Sequence, residues 1–233
     1  NIILSTDQDS DGIGKICSLL ICFFMLYFPD LVKSGFIKRF RTPIIRATLP
    51  AKYGSKRVEF YDDSEFEKMN EELGGILKGD YYKGLGTHDR EDVDDMAANY
   101  FKNLIQVTYD DAGRELMYVL YDQATTQRKL ELMYYPGRGT YKNDVTVTLH
   151  EHFTLESIPE QLNNIHRMTP HVVDGLTPAQ RKTLATIRRS NSVMKVSALC
   201  GEVIAKMNYA HGEASLESVI KRMAQIFTGS NKV

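Results

Sequence analysis

Three aspartates alternate along a short segment that directly follows an apolar run. Asp7, Asp9 and Asp11 lie within the sequence TDQDSDG, and Ile2–Ser5 before it has the composition of a buried strand. Alternation would bring the three carboxylates together at the carboxyl end of that strand, where open α/β sheets usually bind ligands. Three carboxylates so close repel one another unless a cation lies between them. Because Mg²⁺ prefers oxygen ligands, the spacing predicts a magnesium site.

Two other structures share this acidic pattern. An EF-hand calcium loop begins with the same alternation, but it needs Glu at its twelfth position and a helix in front. Counted from Asp7, the twelfth residue is Ser18, and a strand-like run precedes the loop, so an EF-hand fits poorly. The acids could instead cap the apolar helix predicted at Gly14–Tyr27, and this alternative stays open.

A glycine-containing segment, YYKGLGT at residues 81–87, is a second candidate for ligand binding. Its glycines permit close approach of the backbone to a ligand, and Lys83 could face a phosphate. Taken alone, the pattern is weak, because glycine turns after strands are common.

Basic side chains dominate one segment of an otherwise neutral chain. Every charged residue between Thr177 and Cys200 is basic, namely Arg181, Lys182, Arg188, Arg189 and Lys195. Such a patch is typical of proteins that bind nucleic-acid phosphates. A solvated helix face is the alternative interpretation.

Two further polar clusters are predicted to bind no ligand. His150 and His152 flank Glu151, but no third residue at a zinc-like spacing accompanies them. We therefore expect exposed residues at the end of a strand, Val145–His150. The acids of residues 89–95 crowd one helix start, where carboxylates favour the helix dipole, and we expect a solvated face there.

Composition places the chain among ordinary globular proteins. It has 233 residues, a formal net charge of −1 and 42% hydrophobic residues, which excludes disorder, a collagen-like fibre and a disulfide scaffold. The longest apolar stretch, Ile16–Phe28, is too short to cross a hydrocarbon layer of about 30 Å as a helix. We expect no membrane partner, and any DNA partner must be bound through local patches.

The order of elements predicts an α/β fold. Strand-like and helical patterns alternate up to about residue 87, which favours a sheet with flanking helices. Residues 88–135 look helical and charged. The remainder contains short helices near Pro159–Ile165, Pro178–Arg189, Val196–Met207 and Ser215–Phe227, in an arrangement like a helix-turn-helix.

Four motifs occur in the order known from one enzyme family. They are TDQDSDG at residues 6–12, YYKGLGT at 81–87, VDGLTPAQRK at 173–182 and HGEASL at 211–216. Together with the stretch Gly229–Asn231 they resemble the type IIA DNA topoisomerases, in their eukaryotic form. The resemblance covers most of the chain.

This resemblance implies a fold and a domain order. Residues 1–147 would form an N-terminally truncated TOPRIM domain with its helical tail, an α/β structure with a parallel sheet and flanking helices. Residues 148–233 would begin a mostly helical winged-helix domain that takes part in DNA cleavage.

The resemblance also implies site residues. Asp7 and Asp9 correspond to the aspartates that bind Mg²⁺, with Asp11 in support, and a further ligand, a Glu, is expected upstream. The residues expected to contact DNA are Lys83, Arg128, Lys129, Arg181, Lys182, Tyr209 and His211.

For the whole enzyme, the resemblance implies an ATP-dependent type II topoisomerase. Such an enzyme cuts both strands of one duplex, passes another through and reseals the break, using a covalent bond between a Tyr and a backbone phosphate. The nucleophilic Tyr and its preceding Arg are expected beyond Val233, and the ATP-binding domain upstream. The expected partners are double-stranded DNA and a second copy of the chain. The expected location is the nucleus, or the host cell or virion for a viral enzyme.

Several positions depart from the family pattern. Thr177 stands where Lys is usual, Ala210 replaces a common second His, and Gly12-Ile13-Gly14 replaces Gly-Ser-His. These changes indicate a divergent member, with viral enzymes among the candidates.

Two alternatives to the topoisomerase interpretation stay open. Another TOPRIM enzyme, a primase or a nuclease, shares the acidic motif but lacks the third and fourth motifs. A metal-stabilised DNA-binding module without catalysis would share the basic segment.

Overall fold

The structure is a computed structural model. It describes residues 1–61, 63–82, 89–122, 126–137, 139–142, 145–190, 193–209 and 211–226, with only the backbone of residues 63 and 64. The chain forms two compact units, Asn1–Leu162 and Asn163–Val233. The domain boundary at residues 147/148 stays a prediction.

Within the described residues, the first unit contains seven strands and most of the helices. Its strands are β1 (Ile2–Leu4), β2 (Ile37–Phe40), β3 (Ile45–Thr48), β4 (Arg57–Phe60), β5 (Gly79–Tyr81), β6 (Leu104–Thr108) and β7 (Thr146–Thr148). Its helices are α1 (Ser18–Tyr27), α2 (Pro29–Lys33), α3 (Asp63–Glu72), α4 (Arg90–Ala98), α5 (Asp111–Tyr121), α6 (Thr126–Met133) and α7 (Leu149–His152), and α8 (Ile158–Met168) follows. π-Helical turns interrupt this pattern: the first π segment is Ser10–Cys17 and the second π segment is Phe153–Ser157.

The main sheet has the strand order β1-β2-β6-β7. β1 pairs with β2 in parallel, β6 pairs with β2 antiparallel, and β7 pairs with β6 in parallel. The prediction of an α/β fold is confirmed, but the sheet is mixed rather than purely parallel. β6 lies within residues 88–135, which the sequence predicted as helical. Its alternation of buried Ile105 and Val107 with half-buried neighbours explains why it forms a strand.

A second sheet is antiparallel and has the strand order β4-β3-β5. Its strands lie between β2 and β6 in the sequence. The sequence predicts one strand over Arg41–Thr48; its second half is confirmed as β3, but residues 41–44 lie between β2, which ends at Phe40, and β3, which starts at Ile45. Pro43 lies between them and has no N–H for a sheet ladder. Ile45, Phe60 and Phe66 are among the residues of a small separate core on this sheet.

The apolar helix after the acidic segment buries one face in the core of the first unit. Cys17, Ile21 and Met25 pack with residues of β2, β6 and β7. The opposite face exposes large apolar side chains, including Leu19 and Phe23. The continuous helix Ser10–Tyr27 is long and apolar enough to cross a membrane, a test that core helices of globular proteins also pass. The absence of a membrane partner stays a prediction.

A buried carboxylate, Asp92, joins α4 to the antiparallel sheet. Asp92 is 0% exposed, so the expectation of a fully solvated acidic face is wrong at this residue. It forms ion pairs with Arg46 on β3, which is 2% exposed, and with Arg57 on β4. Asp92 also completes a capping box with Asp89, which explains the acidic start of α4.

The second unit contains α9 (Pro178–Arg189), α10 (Val196–Lys206) and α11 (Glu213–Met223). These helices share a core that includes Leu199, Val203 and Leu216. The predicted helix Pro178–Arg189 is confirmed residue for residue, and α10 matches the predicted Val196–Met207 to within one residue. α11 overlaps the predicted Ser215–Phe227 but starts at Glu213 and ends at Met223, and Phe227 lies outside the described residues. Thr177 and Gln180 form the capping box that starts α9.

Replacing Asp92 with Ala is expected to destabilise the first unit strongly. The substitution leaves Arg46 buried without this partner, which typically costs about 3–5 kcal/mol. Glu217→Ala is the control, because it breaks an exposed ion pair with Lys221 and should cost less than about 1 kcal/mol. Urea unfolding followed by circular dichroism measures both. Equal losses would contradict the structural role given to Asp92.

Candidate functional site

The acidic loop, residues 7–11, follows β1 and includes the first two residues of the first π segment, Ser10 and Asp11. Asp9 is the N-cap of that segment, because its Oδ1 accepts a hydrogen bond from the backbone N of Gly12 at 2.7 Å. A Cβ at position 12 would lie 2.1 Å from the backbone oxygen of Asp7, so this turn requires glycine. The capping alternative is thus confirmed for Asp9.

Capping and metal binding are compatible at this loop. A carboxylate has two oxygens, and Asp9 is an exposed residue while Asp7 and Asp11 are half-buried. Within the described ranges, no group of three or more His, Cys, Asp or Glu side chains is arranged to hold a metal ion. The assignment of the three aspartates as ligands stays a prediction.

Close packing fixes the position of the first π segment. A Cβ at Gly14 would lie 2.6 Å from the backbone oxygen of Glu156 and 2.6 Å from Cβ of Glu160. The two π segments therefore meet at Gly14. π-Helical turns of this kind occur often at functional sites. On the other side of the loop, Gln8 accepts a hydrogen bond from the backbone N of Thr42 at 3.3 Å.

A buried polar network joins β2 to α1, the helix that follows the acidic loop and the first π segment. Arg39 on β2 donates from Nη1 to Nδ1 of His152 at 3.1 Å and to the hydroxyl of Tyr141 at 3.2 Å. Tyr141 in turn donates to Glu156. On the other side, Nε2 of His152 lies 2.9 Å from Oγ of Ser18. Ser18 and His152 are both fully buried.

These contacts fix the protonation state of His152. Arg has no acceptor atom, so Nδ1 of His152 must accept, and the proton of the neutral ring is on Nε2, from which it is donated to Ser18. Burial and the positive charge of Arg39 hold the pKa of His152 well below its ordinary value. The expectation of exposed strand residues is wrong here, because β7 ends at Thr148 and α7 turns His152 into the core.

Arg128 and Lys129, both expected to contact DNA, lie on α6. Arg128 donates from Nε and Nη2 to Oε1 of buried Gln161 at 3.1 and 2.9 Å, which fixes its guanidinium against α8. Lys129 is exposed. Their contacts with DNA stay predictions, as does that of Lys83, which lies outside the described residues together with most of its motif.

In the second unit, the VDGLTPAQRK motif folds around an ion pair. Arg181 donates to both carboxylate oxygens of Asp174, at 2.8 and 2.9 Å. The side-chain hydrogen bond from Arg181 and the backbone N–H of Leu176 lower the pKa of Asp174 below its ordinary value. Lys182 donates to the backbone oxygen of Asn208 at 2.9 Å. Both side chains are thus oriented before any ligand binds.

Tyr209 and His211 lie next to each other after α10. Tyr209 is 7% exposed and belongs to the core of the second unit, and its ring meets that of His211 edge to face. Arg167 approaches Nδ1 of His211 at 3.1 Å and also bonds Asn164. The DNA contacts proposed for the two residues stay predictions, and Tyr209 offers little surface for one.

Comparisons with known proteins agree on one family. Residues 40–158 match the family described as the C-terminal associated domain of TOPRIM, and residues 167–233 match the A-subunit family of DNA gyrase/topoisomerase IV. The DNA topoisomerase 2 of African swine fever virus (isolate Pig/Kenya/KEN-50/1950) is 33% identical over 244 residues, covering 99% of this chain and 20% of the relative. The DNA topoisomerase 2 of Arabidopsis thaliana is 35% identical over 246 residues, covering 100% of this chain and 16% of the relative.

A solved structure matches as well. The DNA-binding, cleavage and re-ligation domain of Plasmodium falciparum topoisomerase II superposes with a TM-score of 0.79 at 30% identity, covering 99% of this chain and 32% of that one. The chain belongs to the type II DNA topoisomerase family. It spans about a fifth of the length of its viral relatives.

The fold adds contacts around the candidate site residues that the sequence does not indicate. Arg167 was not predicted, although it contacts His211, because nothing in a single Arg indicates a partner 44 positions away. The network around His152 was missed for the same reason. The His150-Glu151-His152 pattern was interpreted as exposed residues, and nothing in it indicates a buried hydrogen-bond network.

Burial of neutral His152 predicts that the stability of the first unit depends on pH. The unfolded chain binds a proton at this residue below about pH 6.5, whereas the lowered pKa of His152 means that the folded chain binds it only at a much lower pH. Stability contributed in this way is complete above that pH and falls by at most about 1.4 kcal/mol per unit as the pH drops. His152→Gln, which cannot titrate, should lose this dependence. His150→Gln, at an exposed residue of the same helix, is the control, and urea unfolding at several pH values is the measurement.

Proposed function

We propose that this chain forms part of the DNA-cleavage core of an ATP-dependent type II DNA topoisomerase. The observation that carries the proposal is the likeness of nearly the whole chain, acidic loop and helical unit together, to the Plasmodium falciparum DNA-binding, cleavage and re-ligation domain. The enzyme would cut both strands of a duplex through a tyrosyl phosphodiester, pass a second duplex through the break and reseal it.

In this proposal the acidic loop holds Mg²⁺ through Asp7 and Asp9, with Asp11 in support. Hard oxygen donors at a strand end fit this ion, which proteins commonly hold with one or two carboxylates and substrate phosphate oxygens. When bound, Mg²⁺ neutralises charge on the scissile phosphate and the leaving oxygen. The chain itself contributes the orientation of Asp9, which the hydrogen bond from Gly12 fixes.

DNA would be bound through phosphate contacts from both units. Lys129 is exposed on α6, and Arg188 and Arg189 are exposed at the end of α9. Arg181 and Lys182 have side chains that Asp174 and Asn208 hold in place, so a contact with phosphate requires little further ordering. Phosphate contacts of this kind position a duplex without reading its sequence.

The remaining features of the proposal follow from family membership. Residues 148–233 would begin a winged-helix domain, with α9–α11 among its helices. Two copies would act together on the two strands of the duplex, and ATP would bind elsewhere in the longer protein. The site of action would be the nucleus of a eukaryotic cell, or the host cell or virion for a viral enzyme.

Asp9→Asn in the full-length enzyme is expected to weaken DNA cleavage and to raise the Mg²⁺ concentration that cleavage requires. Asn is also a good N-cap, so the turn at Gly12 should survive while the charge is lost. Asp110→Asn is the matched control, because Asp110 caps α5 in the same way. A Mg²⁺ titration of cleavage measures both. An unchanged Mg²⁺ requirement for Asp9→Asn would remove the metal assignment.

Arg128→Ala, Arg181→Ala and Lys182→Ala are each expected to weaken duplex binding with little dependence on sequence. Each should also reduce the slope of log affinity against log salt by about one. Lys52→Ala, an exposed residue outside the predicted contact set, serves as the control. Fluorescence anisotropy at several salt concentrations gives both quantities. A variant that changes sequence preference and keeps its salt slope would indicate base readout instead.

A further inference from the structure

His152 bonds one residue on β2, which pairs with β1, and one residue on α1, which follows the first π segment. β1 precedes the acidic loop and ends at Leu4, which is in register with Arg39 on β2. The loop ends within the first π segment, and α1 follows this segment directly with Ser18. His152 bonds Arg39 on one side and Ser18 on the other, at 3.1 and 2.9 Å. One buried ring thus connects the strand side of the loop with its helix side.

The two bonds have a fixed direction, which makes the connection specific. Arg39 donates to Nδ1, so the ring can only donate to Ser18 from Nε2. A residue that replaces His152 must therefore offer an acceptor toward β2 and a donor toward α1. A buried ring without these atoms would leave Arg39 and Ser18 each one partner short, in a region where unsatisfied polar groups are costly.

The segment that carries His152 contacts the first π segment a second time. The second π segment begins at Phe153, directly after His152, and the backbone oxygen of its Glu156 would lie 2.6 Å from a Cβ at Gly14. Glu156 also accepts a hydrogen bond from Tyr141, which is bonded to Arg39. Displacement of His152 would therefore be transmitted to residues 10–17, at whose start Asp9 is the N-cap.

We propose that His152 is a positioning residue for the acidic loop and acts through Ser18 and Arg39. It touches neither metal nor DNA in this proposal. Its bonds hold α1 and β2 in the one arrangement that places the carboxylates of residues 7–11 for metal binding. The inference rests on the proposed function of that loop as the metal site.

The test compares two substitutions at one position. His152→Gln retains one acceptor and one donor at nearly the spacing of the ring nitrogens, whereas His152→Phe keeps a ring and removes both bonds. In the full-length enzyme, His152→Phe should raise the Mg²⁺ concentration for half-maximal cleavage about tenfold. This is the low end of the loss in metal affinity seen when a group that orients metal ligands is removed. His152→Gln should restore most of this loss.

A metal-free measurement separates positioning from general stability. Hydrogen exchange of the peptide around Gly12, whose amide bonds Asp9, should accelerate in His152→Phe more than exchange in β6. Leu149→Ala is the control, since Leu149 is fully buried on the same short helix and forms no part of the network. Ser18→Ala provides a milder variant if His152→Phe does not fold, and it should shift the Mg²⁺ requirement in the same direction.

The outcomes distinguish this inference from the proposed function. If Asp9→Asn changes the Mg²⁺ requirement and neither His152→Phe nor Ser18→Ala does, the positioning role is wrong and the metal assignment stands. If Leu149→Ala accelerates exchange around Gly12 as much as His152→Phe, the effect is one of general stability and the inference fails. If Asp9→Asn has no effect, the metal assignment fails, and the positioning role falls with it.

Discussion

A positive charge buried at Arg39 constrains the whole of the first unit. A guanidinium stays protonated in the core and must have its donors satisfied there. Its partners Tyr141 and His152 lie 102 and 113 positions further along the chain. The chain must therefore return to β2 after the antiparallel sheet and α4–α6 are complete. The apolar residues around this centre supply most of the burial, and the Arg39 contacts add the requirement that the segments with Tyr141 and His152 bring polar partners to β2.

The acidic loop combines an exposed surface with rigid support. Its carboxylates are exposed or half-buried, whereas the segments on both sides are anchored to the core through Leu4, Gly14 and Ser18. Sites supported in this way keep their geometry before a ligand arrives, which reduces the entropy lost on binding. The basic side chains of the second unit are also oriented in advance, because Asp174 holds Arg181 and the backbone oxygen of Asn208 holds Lys182.

Local signals were readable in the sequence, and distant pairings were not. Pro178 and the Thr177–Gln180 capping box give the start of α9, and the helix has the predicted bounds. β6 was missed because its five residues follow a charged helix and their alternation is short. The burial of Asp92 and His152 depends on Arg46 and Arg39, which belong to other elements. A polar residue shows no sign in the sequence of the partner that permits its burial, so both were expected at the surface.

The close approach at Gly14 should couple the evolution of the first and second π segments. Any side chain at position 14 would collide with the backbone of Glu156, and backbone cannot be trimmed by substitution as a side chain can. Relatives with His at this position, as in the family pattern given above, must hold the second π segment farther from position 14 than this chain does. Positions 14, 156 and 160 should therefore covary among relatives. A residue from a relative that is introduced at one of these positions should be tolerated only when the other two positions also carry that relative's residues.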